Sequence, residues 1–217
     1  MAYLDDHPPA RHQFRQRYAQ PSGLIVVHTA ESALDDIGED TGAEGVAAFI
    51  ARRSDPGSYH RIVDSDSIVA LVRFDQAAYG DGTGSNEFAI HVSFACRAAD
   101  WPHMDPDRRE AFLANGARAA REAATWLADQ HGITVPARRV TRAQSDQRAA
   151  GFISHAERDP EADRAKPEHL EDLDIGAQRG RRIEHLSTDC FGSREFRDLR
   201  AEGLRAGARQ EPGRHHG

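Results

Sequence analysis

The chain has 217 residues, a formal net charge of −7 at pH 7, 39% hydrophobic residues and a mean hydropathy of −0.68. That suffices for one buried core and gives no electrostatic drive toward nucleic acid or an anionic membrane. No apolar run approaches membrane-spanning length, and the start MAYLDDHPPARHQF lacks the basic-then-apolar pattern of an export signal, so cytoplasmic synthesis is expected. Cys96 and Cys190 are the only cysteines, too few for a disulfide framework, and a thiol left free in a reducing compartment can bind metal.

Residues 1–21, polar and proline-bearing, read as an N-terminal arm on the surface, followed by a principal domain over 22–200 and a short tail over 201–217. Leu24, Ile25, Val26 and Val27 form a β-branched run expected to be a buried strand, with His28 at its C-terminal end, where open α/β sheets place their chemistry. AEGVAAFIARR sets Val46, Phe49, Ile50 and Arg53 at helical spacing, and Ser54-Asp55-Pro56-Gly57 stops that helix. SYHRIVD and SIVALVRF are two strand-like runs joined through Asp64, Ser65 and Asp66, which predicts an antiparallel hairpin. GDGTGSN reads as a flexible loop, and FAIHVSFAC as a further central strand carrying His91 and Ser93.

Asp105 is a good helix cap with Pro106 at the first helical position, and the helix is expected to run to about His131 before Gly132. Leu113, Ala117, Ala120, Ala124 and Leu127 lie along one side of it, and the small alanines imply close docking on a sheet. Arg139 and Val140 suggest a last short strand before GFISHAE. Residues 156–186 are dominated by charged side chains without periodicity and read as a long solvated loop.

Three side chains stand out against this frame. His28 in LIVVHTA, His155 in GFISHAE and Cys190 in STDCFG each sit at the edge of an apolar or turn-rich segment. Two imidazoles and a thiolate fill three of the four positions zinc prefers and leave one for water, the arrangement of a hydrolytic site if the fold brings them together. Taken singly, each has a plainer reading: a hydrogen-bonded histidine at a strand end, or a small buried thiol.

In order, the chain presents a strand ending in His28-Thr29, an amphipathic helix, Ser58-Tyr59-His60 at the head of a hairpin, and a Gly-rich turn with Asn86 leading into a strand. A long helix, Gly151-x-x-x-His155 and Thr188-Asp189-Cys190 follow. This combination resembles the zinc-dependent N-acetylmuramoyl-L-alanine amidases, a family that includes phage lysozyme-type enzymes and the peptidoglycan recognition proteins, and it spans roughly residues 22–196. The resemblance implies an α/β fold with a mixed central sheet flanked by helices. It further implies Zn²⁺ on His28, His155 and Cys190, Tyr59 beside the metal, and Thr188 where phage members carry a catalytic lysine.

By the same resemblance the substrate is peptidoglycan, cleaved between N-acetylmuramic acid and L-alanine. An endolysin catalytic domain, monomeric, made in the cytoplasm and acting on the wall after release, is the expected setting, whether alone or cut from a larger lysin. Two departures matter. Cys190 lies far down the chain from His155, so a long insertion must loop out; doubling a loop's length adds only about 0.6 kcal/mol, while Asp159 or Asp163 offers an earlier carboxylate ligand. Ser93 stands where one branch of the family has a glutamate base, and a serine cannot abstract a proton at neutral pH without a partner. His60 and His91 are expected to face the core or to support the site from behind.

A noncatalytic muropeptide-recognition module is the alternative from another class, which a thiolate ligand at Cys190 argues against. A zinc hydrolase of some other amide is a third reading, disfavoured because no His-Glu-x-x-His helix occurs.

Overall fold

The computed structural model describes residues 42–159 without a break, residues 19–32 and 34, and short stretches before them (2–4, 9–10, 13–14 and 17). Its strands are β1 (Ala2–Leu4), β2 (Gln13–Phe14), β3 (Leu24–Thr29), β4 (Arg61–Val63), β5 (Ser67–Ala70), β6 (Ala77–Ala78), β7 (Ile90–Phe94) and β8 (Gly151–Ser154). The helices are α1 (Gly42–Arg52), α2 (Pro106–His131), α3 (Arg142–Asp146) and α4 (His155–Arg158), with single 3₁₀ turns at Gly84–Glu87 and Trp101–His103. Among the described residues no helix is long and apolar enough to cross a membrane.

Six strands form one mixed sheet in the order β1-β5-β4-β7-β3-β8; only β4 and β5 pair antiparallel, as the hairpin expected at Asp64–Asp66. β3 is flanked by β7 and β8, both parallel to it, and all six of its residues except Thr29 are buried. The sheet therefore has the mixed α/β form implied by the sequence. β1 pairs in parallel with β5 and becomes an edge of the sheet, and β2 pairs with β6 in a separate ribbon. Residues 2–4 and 13–14 of the expected arm thus pair as strands, one in each sheet. The expected strand at Arg139–Val140 reduces to one parallel bridge between Arg139 and Phe152.

Side chains alternate across a strand, and that alternation divides the sheet into two unlike faces. Ile25 and Val27 of β3, Ile90, Val92 and Phe94 of β7, and Phe152 of β8 turn to the side covered by α2 and join Trp101, Phe112, Ala120 and Leu127 in the largest apolar cluster. Phe94, Trp101 and Phe112 pack as an aromatic trio with centroids 5.8–6.4 Å apart. Each such buried ring contributes about 2–3 kcal/mol of burial.

α2 keeps its expected ends. The Asp105 carboxylate accepts from the Asp107 and Arg108 amides, and Gly132 closes the helix at φ 66°. Its buried stripe runs through Phe112, Gly116, Ala119, Ala123 and Leu127, which leaves Leu113 and Ala124 only half-buried. A Cβ at Gly116 would overlap the Phe94 ring, so glycine sets how closely α2 approaches β7.

The opposite face is covered by α1 and α4. α1 docks through Ala43, Ala47 and Ile50 on Ile62 and Val69, while Phe49 points outward at 57% exposure. Its N-terminus is fixed from the hairpin: the Asp64 carboxylate accepts from the Ala43 amide at 2.7 Å and from the Asp66 and Ser67 amides at 3.0 and 2.6 Å. One side chain thus closes the β-turn and caps the helix above it. GDGTGSN is no loose loop. Asp81 accepts from Thr83 and Ser85, and the Asn86 side-chain carbonyl accepts from the Gly80 and Asp81 amides at 2.9 and 3.1 Å.

Candidate active site

His28 has the same parity as Leu24 and Val26, so it leaves β3 on the face opposite α2, at the C-terminal end of the strand. His91 and Ser93 leave β7 on that same face, between the apolar residues that face α2. β8 ends at Ser154, and the chain turns at once into α4. Ser154 and Glu157 form a reciprocal capping box, the Ser154 hydroxyl meeting the Glu157 amide and the Glu157 carboxylate reaching back to Ser154. That cap holds the first helical residue, His155, over the end of β3. The Ser-x-x-Glu spacing was present in SHAE and marks this turn in the sequence.

The rings converge around His28, which is 2% exposed. Its centroid lies 4.8 Å from His155, 5.0 Å from Tyr59 and 5.2 Å from His91. Burial first, and then the neighbouring His155, His91 and His60, hold the His28 imidazole well below its ordinary pKa, so it is neutral and able to offer a lone pair. His91 is pulled down to about 4 by burial, opposed by the charge of Asp81. Burial pushes the Tyr59 phenol above its ordinary value, against the lowering influence of Ser93 and Arg53, so Tyr59 keeps its proton and is a hydrogen-bond donor.

The hydrogen-bond inventory shows where a cation fits. His28 Nδ1, His91 Nε2 and His155 Nε2 are buried ring nitrogens that meet no partner among the described residues. A neutral imidazole nitrogen left buried and unpaired is costly, and those of His28 and His155, on neighbouring rings, are of the donor type that zinc accepts. Among the described residues no group of three or more ligating side chains comes together. Cys190 and Thr188 lie outside the described residues, as does Asp163. Asp159, half-buried at the end of α4, donates its backbone N–H to the His155 carbonyl at 2.8 Å.

A cavity of about 400 Å³ opens between the segment after β3 and α1, lined by Ala30, Glu31, Leu34, Val46 and Phe49 among others. Glu31 takes a positive φ of 53°, uncommon outside glycine, and its carboxylate accepts from Thr29 and from the Ala98 amide. No sequence pattern flagged Glu31, because a positive-φ residue after a strand carries no side-chain signature; Phe49, placed by its helical spacing with Val46 and Ile50, instead points outward.

A sequence-family model described as N-acetylmuramoyl-L-alanine amidase matches residues 17–168. The chain belongs to this family. The match takes in His28, Tyr59 and His155 and ends before Thr188 and Cys190. No curated protein matches the chain.

Among solved structures, the Staphylococcus aureus hydrolase AmiA in complex with its ligand is similar at 19% identity and a TM-score of 0.54, covering 96% of this chain and 86% of that one. A mutant endolysin from Bacillus subtilis is 22% identical with a TM-score of 0.46, covering 72% of this chain and 84% of that one. A mutant of Drosophila PGRP-LB is 11% identical with a TM-score of 0.44, covering 71% and 85%. The likeness to AmiA shows a shared fold.

Proposed function

We propose that the chain hydrolyses the amide between N-acetylmuramic acid and L-alanine in peptidoglycan with the help of a bound zinc ion. The observation that carries the reading is the pair of buried, unpartnered nitrogens, His28 Nδ1 and His155 Nε2, on adjacent rings at the C-terminal end of the central strand. Family membership supports the substrate. His28 and His155 would hold the ion, with Cys190 as third ligand; the carboxylates of Asp159 and Asp163 compete for that role because they fall inside the matched segment. When bound, zinc supplies Lewis acidity and lowers the pKa of a coordinated water toward about 7.

The chain's own residues do the rest. Tyr59, protonated at neutral pH, donates a hydrogen bond to the oxyanion that forms as the amide carbonyl becomes tetrahedral, and Thr188 is the second donor in this reading. Ser93, which replaces a glutamate found in one branch of the family, supports the Tyr59 phenol and does not act as base. The cavity along α1 takes substrate next to the reacting amide, its Phe49 and Val46 offering apolar contact and Glu31 a charge. The endolysin setting rests on the likeness of the motif set to phage amidases.

The test is metal quantification on purified protein, paired with release of stem peptides from cell wall with and without chelator. One zinc per chain with chelator-sensitive release is the expected result. Tight muropeptide binding without release would overturn hydrolysis in favour of recognition, and a metal-free protein that still cleaves would remove zinc. Lysis of intact target cells by added protein tests the endolysin role.

A further inference from the structure

His28 presents two ring nitrogens, and only Nδ1 is left for a metal. Its Nε2 lies 3.0 Å from Nδ1 of His91, and both rings are buried. In the parallel register His91 sits opposite Val26, so the contact is the diagonal one between same-face neighbours on β3 and β7. Two neutral imidazoles joined this way share one proton. If it sits on His91 Nδ1, then His28 must carry its own proton on Nδ1 and has no lone pair there. If it sits on His28 Nε2, then Nδ1 is a free donor atom for a cation, and His91 carries its own proton on Nε2, a buried atom that meets no partner among the described residues.

His91 is itself held from both sides. The His60 ring stacks on it, 5.8 Å between centroids with 8° between planes, and His60 Nδ1 accepts the His91 backbone N–H at 3.0 Å. That bond places the His60 proton on Nε2, which faces the Gln76 carbonyl at 3.1 Å with the Arg17 guanidinium 3.0 Å away. On the other side lies Gly80, where a Cβ would overlap the His91 ring atoms. The backbone at Gly80 is in turn pinned by the Asn86 side chain at 2.9 Å. Neither the hairpin nor the Gly-rich turn touches His28 through these groups, yet together they leave the His91 ring one orientation.

We propose that His91 is a positioning residue for metal binding: its Nδ1 accepts the Nε2 proton of His28, fixing the tautomer and aim of that ligand, with Gly80 and Asn86 bracing the His91 ring. The inference rests on the zinc reading above. Partners of this kind typically set metal affinity by 10–100-fold, and are more often carboxylates or carbonyls than a second imidazole.

The test uses the full chain stripped of metal and titrated with zinc against a competing chelator. H91L, which removes the acceptor, weakens zinc binding about 10–100-fold. H91N, whose side-chain oxygen falls near the Nδ1 position, restores binding to near the native value. G80A, which crowds the ring, weakens binding while leaving Asn86 in place. Long-range ¹H–¹⁵N correlation on the zinc-loaded native protein shows His28 protonated at Nε2 and His91 bare at Nδ1.

Native affinity in H91L, equal losses in H91L and H91N, or a proton found on His91 Nδ1 would each overturn the proposal. If H91L does not fold, H91N and the spectrum of the native chain decide the matter. A native chain that binds no zinc at all sinks the metal reading of the previous subsection as well, whereas native zinc binding that ignores His91 sinks only this one.

Discussion

The two faces of β3 are built from neighbouring residues and serve opposite ends. Ile25 and Val27 face α2 in a closed apolar layer, whereas one residue on, His28 faces three other aromatic side chains with a ring nitrogen left unpaired. On the first face volume is what counts, and the polar groups buried there are paired, Arg61 with Glu122 of α2 and Asn115 with the Asp64 carbonyl; on the second, ring nitrogens are buried without full satisfaction, at a cost in stability. The six-stranded sheet makes the two compatible, because the packed face holds fixed the backbone from which the other projects.

Substitutions on the two faces should therefore fail differently. His28→Ala or His155→Ala is expected to abolish bound zinc and bring peptide release to background, with the thermal midpoint of the metal-free protein held or raised; retained zinc in either would break the contrast. On the α2 side, Phe112→Ala should cost about 3–5 kcal/mol in denaturant unfolding yet leave one zinc per folded chain. The third ligand can be found on the same scale. Cys190→Ser is expected to lose zinc while Asp163→Asn keeps it, and the reverse pattern would move the ligand into the segment nearer His155.

Tyr59→Phe comes next in size. Losing one oxyanion donor lowers kcat by about 10²–10³-fold, with zinc content unchanged by metal analysis; unchanged turnover would remove Tyr59 from the mechanism. A subtler difference lies in pH. His91, about 4 in the folded chain, and His28 and His60, both held well below their ordinary value, take up protons on unfolding in acid. The unfolded state then binds more protons, so stability present at neutral pH is lost as pH falls from about 6.5 toward 4. Denaturant midpoints of the metal-free protein should drop across that window, and less so in H91L. Smallest of all, Phe49→Ser should change stability by no more than about 0.5 kcal/mol, while raising KM if the cavity beside it takes substrate.

Local signals made much of this readable in advance. The β-branched run before His28, the hairpin at Asp64, and the Asp105–Pro106 start and Gly132 stop of α2 each have a short-range cause, and each appears where it was expected. Alternation alone puts His91 and Ser93 on one side of β7. Its partner could not be read, because the diagonal contact with His28 depends on the parallel register between strands distant in sequence.

The same limit hid the pairing of β1 with β5, a three-residue strand in a polar stretch without periodicity. The stretch 80–87 departs from its expected looseness for a different reason. Its glycines suggest freedom, but Asp81, Thr83, Ser85 and Asn86 spend their side chains on nearby backbone and hydroxyl groups and stiffen the turn. In α2 the buried stripe turned by a fraction of a residue from the apolar count, because Gly116 and Ala119, invisible to a hydrophobicity pattern, occupy the closest approach to the sheet.

The family match begins at residue 17, after β1 and β2 have already contributed their backbone to the two sheets. A fragment trimmed to the matched segment would strip the outer neighbour from β5 and leave a row of amide and carbonyl groups open to pairing with other chains. Solubility trouble in such a fragment would then reflect a cut through the architecture, and any shortened version of this protein is best made to keep β1 and β2.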